Sequence, residues 1–411
     1  MDVRPFKVRI PEDTLNDPRE HLSRTGLPDE IPNSGWDYGS NLDYIRELAD
    51  YRQSEFDCQK QETAINAFSH FRAGVNGIGI HFIHERGKGP DTLPLIITHG
   101  WPSSFSEMHK IIPLLADPAA HGGDPADSFD VVVPSLPGYG FSDRPTSGGM
   151  TIFKVAELWA ELMIKGMGNQ RFGAQGGDWG ASCTARLGFT HPENVVGVHV
   201  TMVGGAGVSP YRGPGSRQLT DAEQALLAER DQCRLEESGY SHVQWIKPQS
   251  LSCGLNDSPV GLAGWIVEKY RSYSDCDGDV ERSFTKDELL TNITIYWVTQ
   301  TINPANRIYY EAQRHPWEAQ RHPWNFGPTE SVAVPSAIAN FPQEINHPPG
   351  SGPNGFSTSS VGPRCRGAAI SRRRKSRTYW SRTSGNSSGR CVRPVSGYAI
   401  AFVRFDDIAA P

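Results

Sequence analysis

One stretch limits this chain more than any other: Arg171 to Ala181, R-F-G-A-Q-G-G-D-W-G-A. A short apolar run leads into two glycines, an acid, an aromatic and a third glycine, and a helical pattern follows. That order reads as strand, sharp turn, helix, with the turn residue thrust out of the backbone. A turn so tight needs small neighbours because a Cβ would clash there, and Gly177 and Gly180 flank Asp178 and Trp179 suitably. Such a turn presents a nucleophile at its apex, and the apex residue is Asp178. A carboxylate there attacks carbon and forms an ester, a chemistry distinct from that of serine. On this stretch alone, an ordinary glycine-rich loop with a surface aspartate stays open as the competing reading.

Composition narrows the class. The chain has 411 residues, 37% of them hydrophobic, and a net charge of −6. That length suits two or three domains, or one large α/β domain with an insertion. The acidic balance gives no reason to expect a nucleic-acid partner. Seven cysteines are scattered without a C-x-x-C pair, which is neither a disulfide framework nor a zinc site. No metal site is expected. The N-terminus is polar from Asp2 onward, without the pattern of a signal peptide. No window approaches the roughly 20 apolar residues of a membrane span. The expectation is a cytoplasmic protein with no membrane anchor.

Taken in order, Pro5 to Ile10 reads as a short extended run, and Asn41 to Phe68 carries Leu42, Ile45, Leu48 and Ala49 at helical spacing. Ile78 to His84 reads as the first strand of a sheet, and a charged turn, Glu85 to Gly89, separates it from the next strand. That strand, Leu93 to Thr98, ends in His99-Gly100-Trp101-Pro102, where Ser103 or Ser104 is placed to cap a helix. Asp130 to Pro134 is another strand, followed by a helix from Thr151, the Asp178 turn and a strand from Val195 to Val203. Strands alternating with helices at this spacing imply a mostly parallel sheet covered on both faces. From about Gly204 to Trp324 helical segments dominate, including Leu219 to Glu237, Leu262 to Tyr273 and Leu289 to Val298. These read as an insertion over the carboxyl ends of the strands, where such sheets bind ligands. E-A-Q-R-H-P-W occurs twice in tandem, at Glu311 to Trp317 and Glu318 to Trp324, too few copies for a solenoid. Val332 to Ile338 returns to strand character.

With His99-Gly100-Trp101-Pro102, Gly176-Gly177-Asp178-Trp179-Gly180 and Phe341-Pro342-Gln343-Glu344 together, residues 5 to 349 resemble the epoxide hydrolases of the α/β-hydrolase fold. The likeness is to the microsomal-type branch with an extra N-terminal domain, and extends to Leu255 to Leu262 and to Leu289-Leu290-Thr291-Asn292 in the cap. It implies an N-terminal lead-in over 1–89, a core over 90–205 and 328–349, a helical cap over 206–327 and a tail over 350–411. It also implies roles. Asp178 attacks the less hindered epoxide carbon, while Tyr240 and Tyr309 hold the epoxide oxygen and supply the proton. Tyr310 is the adjacent rival, and simple apolar packing is the alternative for all three tyrosines. Backbone N–H groups of Trp101 and Trp179 form the oxyanion hole, and Glu344 orients a base histidine. His99, Gly100, Pro102, Gly177 and Gly180 shape the turns around the site, with His99 structural and not the base. No cofactor is implied, the partner is a small-molecule epoxide, and a homodimer stays open.

The family's pattern breaks at the end. The base histidine belongs in a G-G-H-F motif beyond the acid, yet no histidine follows His347. Between Arg364 and Arg390 stand nine basic residues, and no acid occurs between Glu344 and Asp406. By composition this is a disordered basic tail. Read with each codon starting at the third base of the one before, however, the stretch from Arg366 to Gly389 accommodates R-G-G-H-F-A-P-P-E-E-P-D-L-L-V-E-D-I-R-E-F-F-R. That is the family's expected ending, with the histidine codon straddling Ala369 and Ile370 and a frameshift near Pro349. The expectation is an epoxide hydrolase impaired in its second half-reaction. Haloalkane dehalogenation, which also uses an aspartate followed by tryptophan, and a catalytically dead binding protein are the alternatives.

Overall fold

The computed structural model describes residues 1–202, 218–314 and 332–339. Eight strands form one sheet among these residues: β1 Val3–Phe6, β2 His70–Val75, β3 Ile78–Glu85, β4 Leu93–Thr98, β5 Phe129–Pro134, β6 Phe172–Gly176, β7 Val195–Val200 and β8 Ser336–Ile338. Their order is β1-β2-β3-β5-β4-β6-β7-β8. β5, β4, β6, β7 and β8 run parallel, and β1 to β3 join antiparallel through β3 on β5. Three strands from the lead-in region therefore share the sheet of the core.

Two of the expectations change. Ile78 to His84 is the sheet's third strand in sequence, because β1 and β2 precede it. The helical run from Asn41 to Phe68 divides into α2 (Leu42–Ser54) and α3 (Cys58–Ile65). The break falls where the Asp57 side chain accepts from the backbone N–H groups of Gln59 and Lys60, starting a new helix. β2 and β3 form a hairpin around Asn76-Gly77, both at positive φ.

The parallel strands are buried on both faces. Leu95 and Ile97 of β4 and Val131 and Val133 of β5 pack with Phe105 and Met108, in the short helical turn before α4 (Ile112–Ala116), and with Ile112 at its start. Ile96 and Val132 point the other way, into a cluster with Trp159 of α5 (Ile152–Glu161) and Leu187 of α6 (Trp179–Thr190). This alternation is what a sheet between two helical layers requires. Thr151 caps α5, accepting from the Lys154 N–H.

The cap comprises α7 (Asp221–Glu237), α8 (Gly239–Ile246), α9 (Pro248–Leu255), α10 (Pro259–Ser272), α11 (Lys286–Thr299) and α12 (Ile302–Arg314). α12 packs on α8 and α9, while α1 (Glu12–Ser23) and α2 pack on α10. Among the described residues no helix is long and apolar enough to cross a membrane.

Candidate active site

β6 ends at Gly176 and α6 begins at Trp179, so the reversal occupies two residues. Asp178 takes φ 48° and ψ −124°, outside the regions an L-residue prefers. The close approach of β4 enforces this turn. A Cβ on Gly180 would overlap the Thr98 carbonyl, and one on Gly100 would overlap the Asp178 side chain itself. At Gly177 an added Cβ would meet only the Thr201 hydroxyl, 2.7 Å away.

The carboxylate is aimed at the loop that follows β4. The Trp101 N–H donates to Asp178 Oδ1 at 2.8 Å, and the Trp179 N–H also donates to this carboxylate. Burial raises the Asp178 carboxyl to about 6, while those two donors pull it down. The loop is held from beneath. His99 is buried and pushed down to about 4, hence neutral, and its Nε2 accepts the Leu136 N–H at 3.2 Å. The Trp101–Pro102 peptide is cis.

Over this floor the cap brings two phenols. Tyr240, in the first turn of α8, stacks on Trp101 with ring centroids 4.7 Å apart and planes 7° from parallel. Tyr309 of α12 stands edge-on to Trp179 at 4.9 Å and to Tyr240 at 6.0 Å. The two phenols are hydrogen-bonded to each other, and Tyr273 joins Tyr240. Removal from water and the nearby Asp178 charge raise both phenols well above their ordinary range. Each is therefore a neutral acid with a proton to donate. Tyr310, one residue on, lies instead against the Arg314 guanidinium at 5.0 Å.

Several groups around the site were given no role at the site from the sequence. Glu107 is half-buried and near enough to Asp178 to feel its charge; it takes the Ser103 hydroxyl as donor and is raised to about 7 by removal from water first and by the Asp178 charge. From α11, Asn292 Nδ2 donates to the Pro102 carbonyl and the Tyr296 hydroxyl to the Ser103 carbonyl, each at 2.8 Å. The Lys269 ammonium lies 5.3 Å from the ring centroids of both Tyr240 and Tyr273 while paired with Glu237 and Glu268. The i, i+4 spacing of Asn292 and Tyr296 on one helix was the available signal. Glu107 gave none, because an acid in a short helical turn usually faces water.

Glu344 and the tail beyond it lie outside the described residues, as does most of the tandem duplication. Among the described residues no cluster of three or more His, Cys, Asp or Glu side chains is placed to hold a metal ion.

The arrangement offers a carboxylate nucleophile, two N–H donors on it and two phenolic acids facing it. The family described as epoxide hydrolase N terminus matches residues 3–108, and that described as alpha/beta hydrolase fold matches residues 94–210. A relative from Stigmatella aurantiaca is 38% identical over 84% of this chain and 76% of its own length. Epoxide hydrolase 1 of Oryctolagus cuniculus is 36% identical, over 84% of this chain and 80% of that one. Among solved structures, the juvenile hormone epoxide hydrolase of the silkworm Bombyx mori superposes with a TM-score of 0.69 at 27% identity, over 85% and 83% of the two chains. The Aspergillus niger epoxide hydrolase shares the fold at a TM-score of 0.73 and 24% identity, over 87% and 89%.

Proposed function

The chain belongs to the epoxide hydrolases of the α/β-hydrolase fold, and from that premise we propose how its own residues divide the work. An epoxide hydrolase turns an epoxide and water into a vicinal diol by way of an aspartyl ester. Here an Asp178 oxygen attacks the less hindered epoxide carbon, and the carbon–oxygen bond of the ring breaks. The electrons of that bond collect on the epoxide oxygen, which takes a proton from Tyr240 or Tyr309. Without such a donor the leaving group would be an alkoxide, too basic to depart readily near neutral pH. In the second half-reaction water adds to the ester carbonyl, and the Trp101 and Trp179 N–H groups hold the oxyanion. Glu344 and a histidine supply the base in the family's pattern, and no histidine follows His347 among these 411 residues.

The observation that carries this reading is the convergence on one carboxylate of two backbone donors from below and two phenols from above. This chain then forms its ester and fails to release it. Incubation with styrene oxide followed by intact mass spectrometry should show one added epoxide mass on the wild type and none on Asp178→Asn. An adduct retained in Asp178→Asn, or rapid multiple-turnover diol formation by the wild type, would sink the scheme. Measuring bromide release from a bromoalkane in parallel separates the dehalogenase alternative. Among the described residues Cys58, Cys183, Cys253 and Cys276 form no disulfide, which supports a reducing, cytoplasmic setting as part of the proposal.

A further inference from the structure

Ring opening moves a negative charge. As Asp178 becomes a neutral ester, the charge passes to the epoxide oxygen and then to whichever phenol has given up its proton. The two phenols over the carboxylate differ in their surroundings. Tyr309 packs edge-on against Trp101 at 6.0 Å and Trp179 at 4.9 Å. Tyr240 has a third phenol beside it. Tyr273, at the C-terminal end of α10, stands edge-on to Tyr240 with ring centroids 6.2 Å apart and is hydrogen-bonded to it.

The Tyr273 hydroxyl has two acceptors within reach. It donates to the Glu237 carbonyl, at the end of α7, over 3.2 Å, the long end of the hydrogen-bond range. It also meets the Tyr240 oxygen. A hydroxyl has one proton to donate, and a charged oxygen accepts roughly twice as strongly as a neutral one. While Tyr240 is neutral the two acceptors compete, and once it is a phenolate it wins. Such an interaction is stronger after ring opening than before, which is the kind that lowers a barrier. The buried Lys269 ammonium, 5.3 Å from both ring centroids, favours negative charge at the same place. Glu237 and Glu268 pair with that ammonium and cancel much of its pull, so the hydroxyl is what distinguishes Tyr240 from Tyr309.

Resting on the Asp178 reading above, we propose that Tyr240 is the phenol that protonates the epoxide oxygen, and that Tyr273 is a positioning residue that turns its hydroxyl from Glu237 to hold the Tyr240 phenolate. The ring carbon–oxygen bond breaks, its electron pair stays on the oxygen, and the Tyr240 proton moves to that oxygen. Tyr273 keeps its own proton and gives only a hydrogen bond. Tyr240 afterwards recovers a proton from water.

Single-turnover mass spectrometry of the full chain with styrene oxide tests this through a double-variant cycle. Tyr273→Phe keeps the ring and its packing and removes only the hydroxyl, and a thermal unfolding scan confirms that it folds. Adduct formation should slow ~5-fold or more in that variant. In a Tyr240→Phe background the same change should alter the rate by less than ~2-fold, because no phenolate forms there for Tyr273 to hold. A purely structural role would slow both backgrounds alike. Tyr273→Phe reacting at the wild-type rate overturns the proposal, and so does equal slowing in the two backgrounds. Tyr240→Phe matching wild type removes Tyr240 as the proton donor and overturns it as well. No adduct on the wild type overturns the Asp178 reading itself, and this proposal with it.

Discussion

Asp178 is held at φ 48°, a state that costs an ordinary residue about 1–3 kcal/mol, and the packing of β4 against the start of α6 maintains it. Burial also raises its carboxyl to about 6, and both features bear on measurement. Only the ionised carboxylate attacks, so the rate of adduct formation with styrene oxide should rise with pH and level off above about 6. The fold binds this proton more tightly than the unfolded chain does. Its contribution to stability is therefore complete below the ordinary value of 3.8 and is lost as pH rises through about 6. Asp178→Asn should accordingly be more stable than wild type at pH 8, by about 3 kcal/mol, and no more stable at pH 3. A Tm series across that range checks the sign. For the phenols, Tyr240→Phe or Tyr309→Phe alone should slow adduct formation ~10-fold or more, and the double variant ~10³-fold. Single-turnover mass spectrometry measures both. An unchanged rate in the double variant would remove them from the chemistry.

At the scale of elements, the loop from Gly100 to Ser104 depends on α11. Asn292 and Tyr296 hold two successive carbonyls of that loop, one residue beyond the Trp101 N–H that meets Asp178. Neither side chain touches the reacting atoms in this reading, so both are positioning residues. Asn292→Ala leaves the buried Pro102 carbonyl without its donor, at a cost of about 1–3 kcal/mol. The expected outcome is slower adduct formation with an unshifted pH midpoint, because the Asp178 environment is retained. A moved midpoint would mean that α11 acts on the carboxylate and not on the loop. The strands show how far pattern carries. Leu93–Thr98 is readable directly because a strand covered on both faces is a continuous apolar run. β2, His70-Phe71-Arg72-Ala73-Gly74-Val75, mixes a histidine, an arginine and a glycine and lacks clean alternation. The hairpin signal Asn76-Gly77 stood beside it, and would have exposed it.

For the whole molecule, the sheet and the cap make the site jointly: the floor comes from the ends of β4 and β6, the ceiling from α8 and α12. In the proposed scheme, the reading frame beyond Pro349 decides whether turnover follows. Restoring the alternative frame from the Pro349 codon supplies the base histidine, so that protein should release diol over many turnovers, while the 411-residue chain should stop at one adduct. Resequencing the gene and transcript from the Ala339 codon onward, with a diol assay on both proteins, checks this. Equal turnover by the two would show that the frame-shifted histidine is dispensable.

The sequence alone determined the turn at Asp178, the alternation of strand and helix around it and the family, because each rests on local chemistry. Small residues at fixed offsets and apolar runs of fixed period are written along the chain. Tertiary structure decided what sequence distance hides. Tyr309 and Tyr310 are adjacent on one helix, and only packing sends the first toward Trp179, while the second stays against Arg314 one turn along the same helix. β3 precedes β4 in the chain yet pairs with β5, because an antiparallel partner was free on that edge. Glu107 feels the charge of Asp178, 71 positions along the chain, only because the fold brings the two near each other. Partners separated by scores of residues are chosen by the close packing of whole surfaces, which no local window of sequence contains.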